Sequence, residues 1–140
     1  MIRIAENLWV GNSIDGELAE VRAVLNVARD LRIKRGWPSI EYAQVGLVDG
    51  PGNSLSSYVA AVLTLVAMMK TGKDVLVHCH EGKSRSVAVA LMYLCLVGGQ
   101  DWDTRLAGIR EHVDVDVPDP HPAHREAFDK IQWGILETFL

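Results

Sequence analysis

Two apolar periodicities alternate along the chain. Short aliphatic runs at Ile2 to Ile4, Leu8 to Val10, Ala23 to Val27 and Val75 to Val77 read as strands, with Tyr42 to Leu47 a less regular fifth. Glu6-Asn7 splits the first two into an opening ribbon. The longer apolar stretches, Tyr58 to Met69 and Val87 to Leu96, read as buried helices. Asn53 or Ser54 is expected to cap the first, and Gly72 to end it; Gly98-Gly99 ends the second. Ser13 is expected to cap a brief helix to Glu20. Asp101 and Asp103 suit the start of a helix running to about Glu111. Pro118, Pro120 and Pro122 make a stiff connection, with Pro122 in the first turn of a last helix. That helix is expected to bury Phe128, Ile131, Ile135 and Phe139 at helical spacing. Strands alternating with helices predict an α/β fold: a single three-layer domain with a mainly parallel central sheet of about four to five strands flanked by helices.

Composition narrows the picture without changing it. A chain of 140 residues fits one domain, 1–140, with a core large enough to need no staples. Two cysteines imply no disulfide framework and suit a reduced, cytoplasmic setting. Met1 to Glu6 lacks the apolar stretch of a secretory signal, and the longest apolar runs are too short for a membrane span. A net charge of −4 argues against general nucleic-acid binding. Charge is nonetheless uneven, because Arg29, Arg32, Lys34 and Arg35 form a basic run after Ala23 to Ala28. It reads as a solvated turn or as a rim that attracts an anionic substrate. No second domain or docking module is legible, and a monomer is favoured.

The chemistry concentrates in Asp74-Val75-Leu76-Val77-His78-Cys79-His80-Glu81-Gly82-Lys83-Ser84-Arg85-Ser86. A buried strand delivers Cys79 into a polar loop, and Arg85-Ser86 opens the helix beyond it. Consecutive N–H groups between them can form an anion nest, reinforced by the helix N-terminus. A thiol so placed ionises readily, and Arg85 offers a planar fork for two phosphate oxygens. The alternative is a buried structural cysteine in a tight turn. Cys95 is no disulfide partner: ten residues along the helix it lies about 15 Å away, beyond disulfide reach.

These residues resemble the His-Cys-x5-Arg-Ser signature of the cysteine-dependent protein tyrosine phosphatase superfamily, most closely its dual-specificity branch. Leu8-Trp9-Val10-Gly11-Asn12-Ser13 is similar to that family's entry strand, and Val24 to Ala28 to the strand before its variable recognition loop. The resemblance implies a metal-free phosphatase without cofactor, acting on a phosphorylated protein or another phosphate monoester. Cys79 is then the nucleophile, with His80, Glu81, Gly82, Lys83, Ser84 and Arg85 holding the phosphate. Ser86 would hydrogen-bond the sulfur, and His78 would sit behind the nucleophile. Asp49 lies thirty positions before Cys79, in Val48-Asp49-Gly50-Pro51-Gly52, where the family keeps its general acid. Its other reading is an ordinary turn carboxylate, with Asp30 the next carboxylate to consider. Trp37-Pro38-Ser39 lacks the aspartate of the receptor-type acid loop and lies too far upstream.

Glu81, Lys83 and residues 113–122 depart from the family pattern. Lys83 is a residue found in lipid and inositol-phosphate phosphatases of the superfamily, although Glu81 offsets its charge. A phosphoinositide or RNA 5′-phosphate substrate therefore stays open beside phosphotyrosine and phosphoserine/threonine. Residues 113–122 depart from the family's Arg-Pro turn. His112, His121 and His124 show no obvious partner ligands, so no metal is expected. A non-catalytic phosphate-binding module and a rhodanese-type sulfurtransferase are the alternatives; the five-residue loop spacing disfavours the latter, and the intact Cys79, Arg85 and Asp49 weigh against the former.

Overall fold

The computed structural model describes residues 1–32 and 41–140. Lys34, Arg35 and Trp37-Pro38-Ser39 lie outside the described residues. Five strands, β1 (Ile2–Ala5), β2 (Leu8–Gly11), β3 (Ala23–Ala28), β4 (Glu41–Leu47) and β5 (Val75–His78), form one sheet in the order β1-β2-β5-β3-β4. Only β1 is antiparallel. The last strand in sequence, β5, is thus inserted between β2 and β3, and it is buried at every position. Parallel strands covered on both faces need continuous apolar runs, which Val75-Leu76-Val77 supplies.

Alternation along β5 sorts the layers. Val75 and Val77 point into the main core, beneath α2 (Leu55–Met69) and α3 (Arg85–Gly98). Leu76 points the other way and joins Val21 and Val24 in a smaller cluster. On that second face Gly16 of the short helix α1 (Ser13–Leu18) lies directly against the imidazole of His78. The fold is therefore a three-layer α/β domain. Because β2, β3, β4 and β5 run parallel, their carboxyl ends gather at one edge, where α/β sheets place their ligands.

Two helix expectations are corrected. Asn12, not Ser13, caps α1, through a capping box with Asp15, and the helix ends at Leu18 rather than Glu20. The final helix is broken: α5 (Pro122–Lys130) stops at Ile131, whose ψ of 135° is extended, and α6 (Trp133–Leu136) restarts the spiral. Trp133 Nε1 donates to the Phe128 carbonyl at 2.9 Å, satisfying an acceptor that the helix end leaves open. The break resets the phase, so Leu136 is buried while Ile135 and Phe139 are exposed. Between α3 and α5, α4 (Trp102–His112) begins as expected, its N-terminus capped by the Asp101 side chain.

Candidate active site

Cys79 follows β5 directly and is 2% exposed. Its N–H donates to the Gly11 carbonyl at 3.3 Å, and the Ser13 N–H donates to the His80 carbonyl at 3.0 Å. The loop after β5 is thereby seated on the end of β2. Gly82 completes the seat with φ +73°; a Cβ there would stand 2.7 Å from the Gly11 carbonyl carbon. Both the backbone region and the close approach require glycine. The side of Gly82 on which a Cβ would stand therefore faces the scaffold, which sets the shape of the loop. Among the described residues, no hydrogen bond takes up the N–H groups of residues 80 to 85. Free consecutive amides next to the first turn of α3 form a setting for an anion.

Arg85 and Ser86 lie in that first turn, and both are buried. Ser86 Oγ lies 3.3 Å from Cys79 Sγ, so its hydroxyl can donate to a thiolate. Arg85 Nη1 donates to Asp30 Oδ1 at 2.6 Å and to the Leu47 carbonyl at 3.0 Å. Its Nε is buried and unpartnered. The guanidinium is thus fixed on one side and unsatisfied on the other. Asp30, the second carboxylate weighed from sequence, is committed to Arg85, whose hydrogen bond holds its pKa below the ordinary aspartate value. Arg29 and Arg32, from the basic run, are exposed, while Asp30 between them lines the cleft. His78 is fully buried, with Nδ1 3.3 Å from the Cys79 carbonyl.

These groups open onto a cleft of about 580 Å³. The loop after β5 forms its floor. Asp30 and Asp49 line it as well, and Pro118, Asp119 and His121 add a wall from the segment before α5. That wall is the segment in which the sequence departs from the family pattern. Arg110 secures it by donating to the Val117 carbonyl and to Asp119.

Asp49 lies in the loop after β4. Ser54 caps α2, which leaves Asn53 to brace this loop by bonding both the N–H and the carbonyl of Val48 at 2.8 Å. Asp49 Oδ1 accepts from Ser84 Oγ at 2.6 Å and from His124 Nε2 at 3.1 Å. Burial pulls the carboxyl pKa upward, but the bonds from Ser84 and His124 outweigh it and set the value below that of a free aspartate. Ser84 also accepts from the His121 N–H at 2.9 Å, so its side chain joins loop to wall.

His124 is the member of this cluster that sequence reasoning misses, because no partner for it is visible along the chain. It is fully buried, with Nδ1 2.7 Å from Tyr58 Oη and Nε2 on Asp49. No spacing signal links positions 49, 58 and 124; only the packing of α5 beside α2 brings them together. The Ser84 hydroxyl turns to Asp49, which leaves the expectation of its backbone N–H in the phosphate cradle untouched. Among the described residues no three His, Cys, Asp or Glu side chains cluster as metal ligands, and no helix is long and apolar enough to cross a membrane.

Sheet order and loop position define the class: this is the fold of the cysteine-dependent tyrosine phosphatase superfamily. More particularly, the chain belongs to the family of dual specificity phosphatase catalytic domains, which matches it over residues 14–115. Dual specificity protein phosphatase 22-B of Danio rerio is 24% identical over 142 residues, spanning 98% of this chain and 76% of that protein. Dual specificity protein phosphatase Mpk3 of Drosophila melanogaster is 31% identical over 112 residues, 74% of this chain but 27% of its own length. Human DUSP28 superimposes with a TM-score of 0.82 at 21% identity, covering 99% of both chains. A mouse putative dual specificity phosphatase, crystallised with zinc tungstate, gives 0.82 at 22% identity and covers 99% and 91%. The structural likenesses establish the fold.

Proposed function

We propose that the protein is a cysteine-dependent phosphatase that hydrolyses phosphate monoesters, phosphotyrosine and phosphoserine/threonine on proteins, through a phosphocysteine intermediate. One observation carries this reading: Cys79 sits at the floor of an open cleft, beside a hydroxyl 3.3 Å from its sulfur and an arginine whose buried Nε is unpartnered. A tetrahedral oxyanion satisfies that arginine and the loop amides together. The tungstate reported for the mouse neighbour is an anion of this shape.

Cys79 thiolate attacks phosphorus as the ester P–O bond breaks, and the Asp49 carboxyl gives its proton to the leaving oxygen. Water then attacks phosphorus and passes a proton to the Asp49 carboxylate while the P–S bond breaks. Ser86 O–H stabilises the departing thiolate, and inorganic phosphate is released. Asp49 is ionised at neutral pH in the free site. The negative charge of a bound phosphate raises its proton affinity, which returns it to the acid form when needed. The test is turnover of phosphotyrosine peptide and nitrophenyl phosphate, with rapid-quench trapping of phosphate on Cys79. Cys79→Ser is expected to bind phosphate esters without measurable turnover; activity near that of the parent removes the covalent mechanism.

A further inference from the structure

The chain Asn53–Tyr58–His124–Asp49 has a consistent direction. Asn53 Nδ2 donates to Tyr58 Oη at 3.1 Å, and Tyr58 Oη lies 2.7 Å from His124 Nδ1. Burial raises the Tyr58 pKa, so the phenol keeps its proton and donates it to Nδ1. Burial also pushes His124 below the ordinary histidine value, against the opposing pull of Asp49. The ring is therefore neutral, with its single N–H on Nε2, aimed at Asp49 Oδ1. The Ser84 hydroxyl points at that same oxygen. Two donors occupy Oδ1, so a proton on this carboxyl belongs on Oδ2.

We infer that His124, held in one tautomer by Tyr58, is a positioning residue for Asp49: it fills Oδ1 with a donor and directs the acid proton to Oδ2. The inference rests on the reading of Asp49 as general acid. His124 touches no substrate and exchanges no proton; its contribution is to restrict the acid to one oxygen and one orientation. The charged and titratable groups facing the pair are Arg85 from α3 and His121 from the cap of α5, with Tyr58 behind the ring. Asp30 is held by Arg85 on the same cleft.

His124→Phe keeps a ring in the buried site and removes both nitrogens. A misdirected acid is expected to lower the limiting kcat for phosphotyrosine peptide by about 10- to 100-fold, and that for nitrophenyl phosphate far less. Loss of a donor to the carboxylate also raises the Asp49 pKa, so the alkaline limb of the pH profile moves to higher pH. Inhibition by inorganic phosphate is expected to be unchanged. His124→Gln, which retains an amide N–H donor, should recover part of the rate, and Tyr58→Phe, which releases the tautomer, should shift the limb in the same direction. An unchanged limb and unchanged leaving-group selectivity in a folded His124→Phe protein overturn the inference; if that variant does not fold, the same result in Tyr58→Phe does so. Asp49→Asn separates the two failures. If its profile matches the parent, the acid assignment and this inference fall together. If it loses the alkaline limb while His124→Phe and Tyr58→Phe do not move it, only the inference falls.

Discussion

Ser84 Oγ donates to Asp49 Oδ1 across 2.6 Å, although 35 positions separate the two residues. The loop that follows β5 and the loop that follows β4 are latched together by this bond. Ser84 stands at the N-cap of α3 but makes no side-chain cap there, so its hydroxyl is available for Asp49. The same hydroxyl oxygen accepts from the His121 N–H, which extends the latch to the start of α5. Floor, acid loop and wall therefore meet at one side chain.

On the proposed reading of Asp49 as general acid, the latch sets the pH dependence. Asp49 is held below the ordinary aspartate pKa in the free site, so its acid form declines as pH rises through that value. Activity on phosphotyrosine, whose phenol leaves poorly, should be highest at acidic pH and fall on the alkaline side. Asp49→Asn should abolish that limb and slow phosphotyrosine by about 10²–10⁴-fold, with a much smaller effect on nitrophenyl phosphate. Pre-steady-state rates on both substrates across pH check this; equal slowing of the two removes Asp49 as the acid.

Arg85→Lys should lower kcat by about 10²–10³-fold, because an ammonium cannot reproduce a fork that already bonds Asp30 and Leu47 on one side. Asp30→Ala is the milder change. Asp30 is 62% exposed, so loss of its ion pair should cost at most about 1 kcal/mol of stability. Its effect should appear instead as a weaker apparent affinity for phosphate, measured by competitive inhibition. Parental kinetics in the Arg85→Lys protein would falsify the assignment of the guanidinium.

Gly82→Ala should destabilise the fold and disable the loop at once. The left-handed φ costs roughly 1–2 kcal/mol for any Cβ, and the 2.7 Å approach to Gly11 adds overpacking of about 1–3 kcal/mol. Thermal unfolding should show the loss, and phosphate binding should weaken in parallel. A variant with unaltered Tm and activity would mean that the loop seats differently on β2.

Mild peroxide should oxidise Cys79 and leave Cys95 reduced. Burial pushes the Cys95 thiol up to about 12, so it presents almost no thiolate at neutral pH. Ten residues of α3 separate it from the loop, about 15 Å along the axis, so the two sulfurs cannot join without melting that helix. Mass spectrometry after alkylation reads both outcomes. A Cys79–Cys95 crosslink under native conditions would contradict the rigidity of α3.

Local sequence determined whatever depends on neighbours along the chain. The aliphatic runs specified β1, β2, β3 and β5, and the apolar stretch ended by glycine specified α3, because burial pattern and end signals act over a few residues. The adjacency of Cys79 to Arg85 and Ser86 was legible for the same reason: a strand, a short loop and a helix turn leave little freedom. The break at Ile131 was not, since helical spacing continues past it and only packing around Trp133 and Leu136 chooses the new phase. Nor was the setting of Asp49. Ser84 and His124 reach it from the cap and the body of two different helices, with Tyr58 of a third behind His124, and hydrogen bonds between residues 35 to 75 positions apart carry no periodic trace in the sequence. They form only when the parallel sheet brings the ends of β4 and β5 to one edge and α5 folds back beside α2, because a short-range polar bond requires that the long-range packing be in place first.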